Sequence, residues 1–207
     1  LAAGAGAHAP TLLRLFDFAA RREARRRAAG AIMLRAPEVE IRVEKDGALS
    51  LSRRDPETPA QRLVSEAMVL AGEVAAAWFA SNAVPAIFRR QAPPDGRLPS
   101  PDPSQPEAVY IRAMRRMLKR GEAGLQPGAH HALGLAAYVQ VTSPLRRYQD
   151  FAMHRQIVSV LSGKPAHYDA AAMQVLLAST ERAEHEGRRA ERAMDRYFML
   201  RWLLRSV

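Results

Sequence analysis

The chain has 207 residues, 48% of them hydrophobic, which is enough to bury a core as one domain or as part of a larger one. It has no cysteine, which excludes disulfides and thiolate metal sites and is compatible with a cytoplasmic setting. A formal charge of +10, from 31 Lys and Arg against 21 Asp and Glu, favours a polyanionic partner, and Arg suits bidentate phosphate contacts. No apolar run is read as reaching the roughly 20 residues that cross a bilayer, so no membrane partner is expected.

The chain begins at Leu1, and LAAGAGAHAP reads as a weakly structured, cut end. A helix follows over residues 11–29, with Leu12, Leu15, Phe16 and Ala19 on one side and Arg21, Arg22, Arg25, Arg26 and Arg27 crowding its end, where cations complement the dipole. Alternation of Val39, Ile41 and Val43, then Asp46-Gly47, then Leu49 and Leu51 predicts a short hairpin with a type I′ turn. Asp55-Pro56 marks a turn, Thr58 is a cap, and a strongly apolar helix runs over residues 59–81, in which Glu66 and Glu73 need partners. Residues 92–106 are proline-rich and irregular, read as an internal loop. A basic helix follows over 107–120, and then His130-His131, which lacks a third metal ligand at any standard spacing.

The stretch YVQVTSPLRRYQDFAMHR, residues 138–155, carries the strongest pattern. Ser143 followed by Pro144 predicts a helix start, a capping hydroxyl before a residue with φ preset. Arg146 and Arg147 then fall in a first turn, against the helix dipole, which points to an anion bound there together with free N–H groups. Arg146, Asp150 and His154, spaced by four, would form one row, and apolar residues on the other faces predict a helix buried on several sides. A last long helix covers 170–204, with Glu184, Arg188, Glu191 and Asp195 in a polar row.

TSPLRRYQDFAMHR resembles the signature TSPIRRY-x-D-x-x-x-HR of the RNB family, the processive 3′-to-5′ exoribonucleases of ribonuclease II and ribonuclease R type. GAIMLRAPEVEIRVEKDGALSL, RLVSEAMVLAGEVAAAWF, HHALGLAAYVQ and RRAERAMDRYFMLRWL agree with the family in the same order. The resemblance implies an α+β fold, predominantly helical in this chain, as the C-terminal portion of one RNB-like catalytic domain spanning 1–207.

It further implies that Arg146 stabilises charge on the scissile phosphate and that Glu191 works with it near the terminal nucleotide. RNA contacts are expected from Ser65, Glu66, Tyr138, Thr142, Ser143, Arg147, Tyr148, His154 and Arg155. Two positions depart from the pattern: Leu34 stands where relatives carry a base-stacking aromatic, and Ser65 stands where they carry an acid that contacts the sugar. The family's Mg²⁺-binding cluster, D-x5-D-x-D-D, has no counterpart among the eight Asp of this chain, no two of which are closer than seven positions. The expected partners are therefore single-stranded RNA and an N-terminal part of the same enzyme carrying the metal-binding aspartates and flanking RNA-binding barrels. The competing expectation is a catalytically inactive RNB-like module that binds RNA or scaffolds a complex.

Overall fold

A computed structural model of the chain describes residues 6, 8–34, 38–54 and 58–206. The turn expected at Asp55-Pro56 lies outside them. The elements in order are α1 (Ala9–Ala28), β1 (Glu38–Val43), β2 (Leu49–Arg54), α2 (Pro59–Ser81), β3 (Phe88–Arg90), α3 (Glu107–Met117), β4 (Glu122–Gly124), α4 (Tyr148–Leu161) and α5 (Ala170–Ser206), with a 3-10 turn at His131–Leu133. They fall into two compact units: Leu1–Leu34 with Glu57–Leu177, and Arg35–Pro56 with Ala178–Val207.

In the first unit α2 is the central helix. It opens with a reciprocal cap: the Thr58 hydroxyl accepts from the Gln61 N–H, and the Gln61 side chain accepts from the Thr58 N–H at 2.8 Å. One face of α2 supplies Ala75, Ala76 and Phe79 to a core completed by Ile87, Phe88, Val139, Ala152, Met153, Met173 and Leu177. Its end is held by the Val84 N–H donating to the Phe79 carbonyl at 3.1 Å, with Ala83 left-handed at φ 52° and Val84 buried.

The other face of α2 meets α1 through ions rather than hydrocarbon. Arg26 grips both oxygens of Glu66, Nε lying 3.0 Å from Oε2, and donates from Nη1 to the Leu133 carbonyl at 3.0 Å. Arg22 pairs with Glu73 at 2.7 Å, and Glu23 accepts from Arg62 at 3.0 Å and from Arg27 at 2.8 Å. Burial works to raise the pKa of Glu23, but the hydrogen bonds and charges of Arg62 and Arg27 outweigh it and hold the carboxyl below its ordinary range. Several arginines at the end of α1 thus have structural partners, and α2 turns out long and apolar enough to cross a membrane by length and composition alone, with a mean hydropathy of 1.5. That corrects the reading that no run reaches this length; in the fold this helix is bound to α1 through its acids.

Two short ribbons complete the architecture. In the second unit β1 and β2 pair antiparallel with Ile41 opposite Leu51 and Val43 opposite Leu49, the face that the alternation predicts. The turn differs from expectation: the Gly47 N–H bonds the Glu44 carbonyl, Gly47 at φ 78° is its only left-handed residue, and Glu44 bonds Ala48, a type I turn with a glycine bulge rather than type I′. The pairing of β3 with β4 in the first unit had no signal in the sequence, because strands of three residues carry no alternation and their partners are far apart in the chain. Basic α3 stops at Met117, three residues short of the predicted end.

Glu66→Ala leaves the Arg26 guanidinium buried without its carboxylate. It is expected to lower stability by about 3–5 kcal/mol, measured by urea unfolding, whereas Arg26→Met combined with Glu66→Leu recovers most of that loss.

Candidate functional site

The segment that leads into the signature lies across α2 at Gly72. The Val139 N–H donates to the Gly72 carbonyl at 3.2 Å, and a Cβ on Gly72 would stand 2.2 Å from the Tyr138 ring and 2.6 Å from the Val139 oxygen. Only glycine admits this approach, which explains its place inside an apolar helix. On one side of the crossing a cavity of about 450 Å³ is lined by Val64, Ser65, Met68 and Tyr138. On the other, an apolar cavity of about 490 Å³ is lined by Val74, Trp78, Thr142, His154 and Leu161. Four of the expected contact residues, Ser65, Tyr138, Thr142 and His154, therefore line two cavities flanking one crossing. Burial pushes the Tyr138 phenol above its ordinary pKa. His154 Nε2 lies 2.6 Å from the Val141 carbonyl; since a carbonyl only accepts, Nε2 carries the proton.

The helix expected to open at Ser143-Pro144 begins instead at Tyr148, with Arg147 in the capping position and no side-chain cap. Residues 143–147 form a turn in which the Ser143 carbonyl accepts from the N–H groups of Arg146 (3.2 Å) and Arg147 (3.0 Å). The physical reason is Asp150. Its fully buried Oδ2 accepts from the Ser143 N–H at 2.8 Å and from the Arg147 guanidinium at 2.7 Å, bending the chain back over the first turn of α4. Its Oδ1 is buried with no partner among the described residues. Arg146 precedes the helix, so the row of Arg146, Asp150 and His154 does not form. The two arginines have separate fates: Arg147 is held by Asp150, whereas Arg146 is exposed and makes no ion pair with a described residue.

The burial of α4 also reverses expectation. Inward go Gln149, Asp150 and Gln156 with Ala152 and Met153; outward go Tyr148 (54% exposed), Phe151 (42%), Val158 (62%) and Leu161 (71%), with Leu145 fully exposed on the preceding turn. The inward polar groups are tolerated because each meets a fixed partner: Arg89 donates to Gln149 at 2.7 Å, and Gln156 donates to the carbonyls of Pro85 and Tyr168 and accepts the Tyr168 N–H at 2.7 Å.

The remaining expected residues are spread. Glu66 is buried with both oxygens taken by Arg26, so the role the fold gives it is structural rather than an open RNA contact. Arg155 is exposed and donates to the Tyr168 hydroxyl at 3.1 Å. Glu191 is exposed in the second unit and makes no ion pair with a described residue, while its neighbours Glu184 and Arg188 pair at 3.1 Å. His130 has Nδ1 buried without a partner among the described residues, and burial, together with the charges of Arg89 and His131, holds its pKa below the ordinary value. Among the described residues no group of three or more His, Cys, Asp or Glu side chains is placed to hold a metal ion. The sequence reading passed over Gly72 and Gln156; a glycine within an apolar helix was the only available signal.

The RNB domain profile matches residues 2–107 and 97–163. The chain belongs to the RNB domain family. This RNB chain is 35% identical over 201 residues to an uncharacterized ribonuclease of Synechocystis, covering 96% of the chain and 30% of that relative. It is 36% identical over 129 residues to the mitochondrial exoribonuclease II of Schizosaccharomyces pombe, covering 56% of the chain and 14% of that protein. Its fold is that of an active-site mutant of the Dss1 exoribonuclease from Candida glabrata, with a TM-score of 0.83 at 21% identity over 95% of this chain and 27% of the other. It also resembles yeast Ssd1, described as a pseudonuclease, with a TM-score of 0.58 at 16% identity over 89% of this chain and 26% of Ssd1. The chain thus spans less than a third of each of these relatives, and its α+β, predominantly helical architecture is that of a partial RNB domain.

Because the folded pKa of His130 is lowered, the unfolded chain binds the extra proton, so stability is full above the ordinary histidine pKa of about 6.5 and falls as pH drops through it, by at most about 1.4 kcal/mol per pH unit. Urea midpoints at pH 7.5, 6.5 and 5.5 should show this decline in the native chain and a flatter profile in His130→Gln.

Proposed function

We propose that this chain is the C-terminal portion of the catalytic domain of a processive exoribonuclease, which hydrolyses single-stranded RNA from the 3′ end to nucleoside 5′-monophosphates. The observation that carries the reading is an exposed guanidinium with no ion pair to a described residue, Arg146, on a turn anchored by buried Asp150 and reached directly from the segment whose residues line the two cavities along α2. A guanidinium fixed by its backbone and free of ion pairs is suited to a phosphate oxyanion, which it stabilises without having to be reorganised. Ser65, Tyr138 and Thr142 supply hydroxyls along the same face, where 2′-hydroxyl and phosphate oxygens can be matched. Arg147, Tyr148 and His154 support Arg146; Ser143 and Arg155 contact the RNA, and Glu191 orients the terminal nucleotide.

Relatives named ribonuclease and exoribonuclease support this class of activity, and a Mycoplasma genitalium RNase R of related fold, with a TM-score of 0.56, is known in complex with ribose methylated single-stranded RNA. In this reading Mg²⁺ is held by aspartates of an N-terminal part of the enzyme, the part in which the family pattern carries its aspartate cluster. A cytoplasmic location is part of the same reading.

A second reading, an RNB-like module that binds RNA without cleaving it, is favoured by Ser65, a hydroxyl where the family pattern has an acid, and by the likeness to a protein described as a pseudonuclease. Arg146→Ala in the full-length protein is expected to lower kcat on an RNA oligomer by about 100-fold or more while changing RNA affinity only a few-fold. Unchanged turnover would count against the role of Arg146, and absence of nucleotide release by the unaltered protein with Mg²⁺ would favour the binding module.

A further inference from the structure

The outer face of α4 carries a cluster of which the catalytic reading uses Tyr148 and Arg155 but gives no role to Phe151 and Tyr168. Tyr148 and Phe151 pack at 5.9 Å between centroids, and the Arg155 guanidinium lies 5.7 Å from the ring centres of both Phe151 and Tyr168 while donating to the Tyr168 hydroxyl at 3.1 Å. A hydrogen bond with Tyr148, then burial, pushes the Tyr168 phenol above its ordinary pKa. His167 stacks edge-on against Tyr168 at 4.6 Å.

The cluster is built rather than accidental. Tyr168 lies outside the helix, yet Gln156, with no exposure, binds both its N–H and its carbonyl, so the ring is held opposite α4 by a buried amide. Phe151 and Tyr148 remain 42% and 54% exposed. Arg155 makes no ion pair with a described residue; Asp150 is buried and bound to Arg147, and exposed Asp169 accepts the Ala172 N–H at 2.7 Å. Next to the cluster in the chain, Lys164, His167 and Asp169 are all exposed.

Exposed rings interleaved with a guanidinium match one chemistry well: unpaired nucleobases, which stack on the rings, with their phosphates against the cation. The geometry points to a stacking platform for single-stranded RNA formed by Phe151, Arg155 and Tyr168, separate from the turn that carries Arg146. It goes beyond the catalytic reading, since the platform holds RNA whether or not the chain cleaves it. Stacking does not select among bases, so binding should tolerate sequence but require bases.

The test uses the full-length protein in chelator, with a labelled oligouridylate of about ten nucleotides and an abasic ribose-phosphate strand of the same length, read by fluorescence anisotropy. Phe151→Leu is expected to weaken oligouridylate binding by about tenfold and leave the abasic strand unchanged, and Phe151→Trp to retain binding. In the unaltered protein, 4-thiouridine RNA should crosslink to the tryptic peptide of residues 148–155. Unchanged affinity in Phe151→Leu, an equal loss on both strands, or absence of that crosslink would overturn the platform. Loss of thermal stability in Phe151→Leu without loss of RNA affinity would also overturn it, showing the ring to be covered by protein. None of these readouts depends on cleavage, so failure here leaves the exoribonuclease reading to its own test.

Discussion

The site depends on one carboxylate that water does not reach. Asp150 sits in the first turn of α4 and binds two groups of the preceding segment, the Ser143 N–H and the Arg147 side chain. A buried carboxylate is costly without such partners, so the pairing constrains the backbone from 143 to 147 more firmly than a surface ion pair would. The consequence is a division of labour between adjacent arginines: one neutralises the buried acid, and the other is exposed and makes no ion pair with a described residue. Two guanidinium groups in sequence do not make a paired site; a buried acid three residues beyond the second decides which one is ion-paired.

The same logic of fixed polar partners runs through the first unit. Helix α2 is apolar enough to be a core helix on all sides, yet it meets α1 through Arg22, Glu23, Arg26, Arg62, Glu66 and Glu73. These contacts set register, because displacing α1 by a turn would strand several buried charges at once. On the opposite face Gly72 lets the 138–142 segment touch the helix backbone, which divides that surface into a mixed cavity near Ser65 and an apolar one near Trp78. The groove geometry is therefore a product of one missing side chain.

Helix α4 has its polar amides inside and much of its apolar surface outside, the inverse of a solvated globular helix. Inside, Gln149 binds the Arg89 side chain of β3, and Gln156 binds backbone groups of Pro85 and Tyr168, two residues outside regular structure. Outside, aromatic and aliphatic residues form surfaces of different chemistry: rings with a guanidinium along one edge, aliphatic groups beside the apolar cavity along the other.

Much was determined by the sequence alone. The five helices, the two strands of the β1–β2 ribbon, the Thr58 cap and the family membership follow from local periodicity, capping chemistry and a specific motif, all of which act over a few neighbouring residues. Tertiary structure alone decided the rest: that Ser143-Pro144 makes a turn, that Arg147 rather than Arg146 pairs with Asp150, that Glu66 is bound to Arg26, that β3 pairs with β4, and that α4 turns its amides inward. Each of these is a choice of partner between groups distant in the chain or competing for one acceptor. Burial sets the worth of such a choice, and burial is a property of the packed chain, not of any window within it.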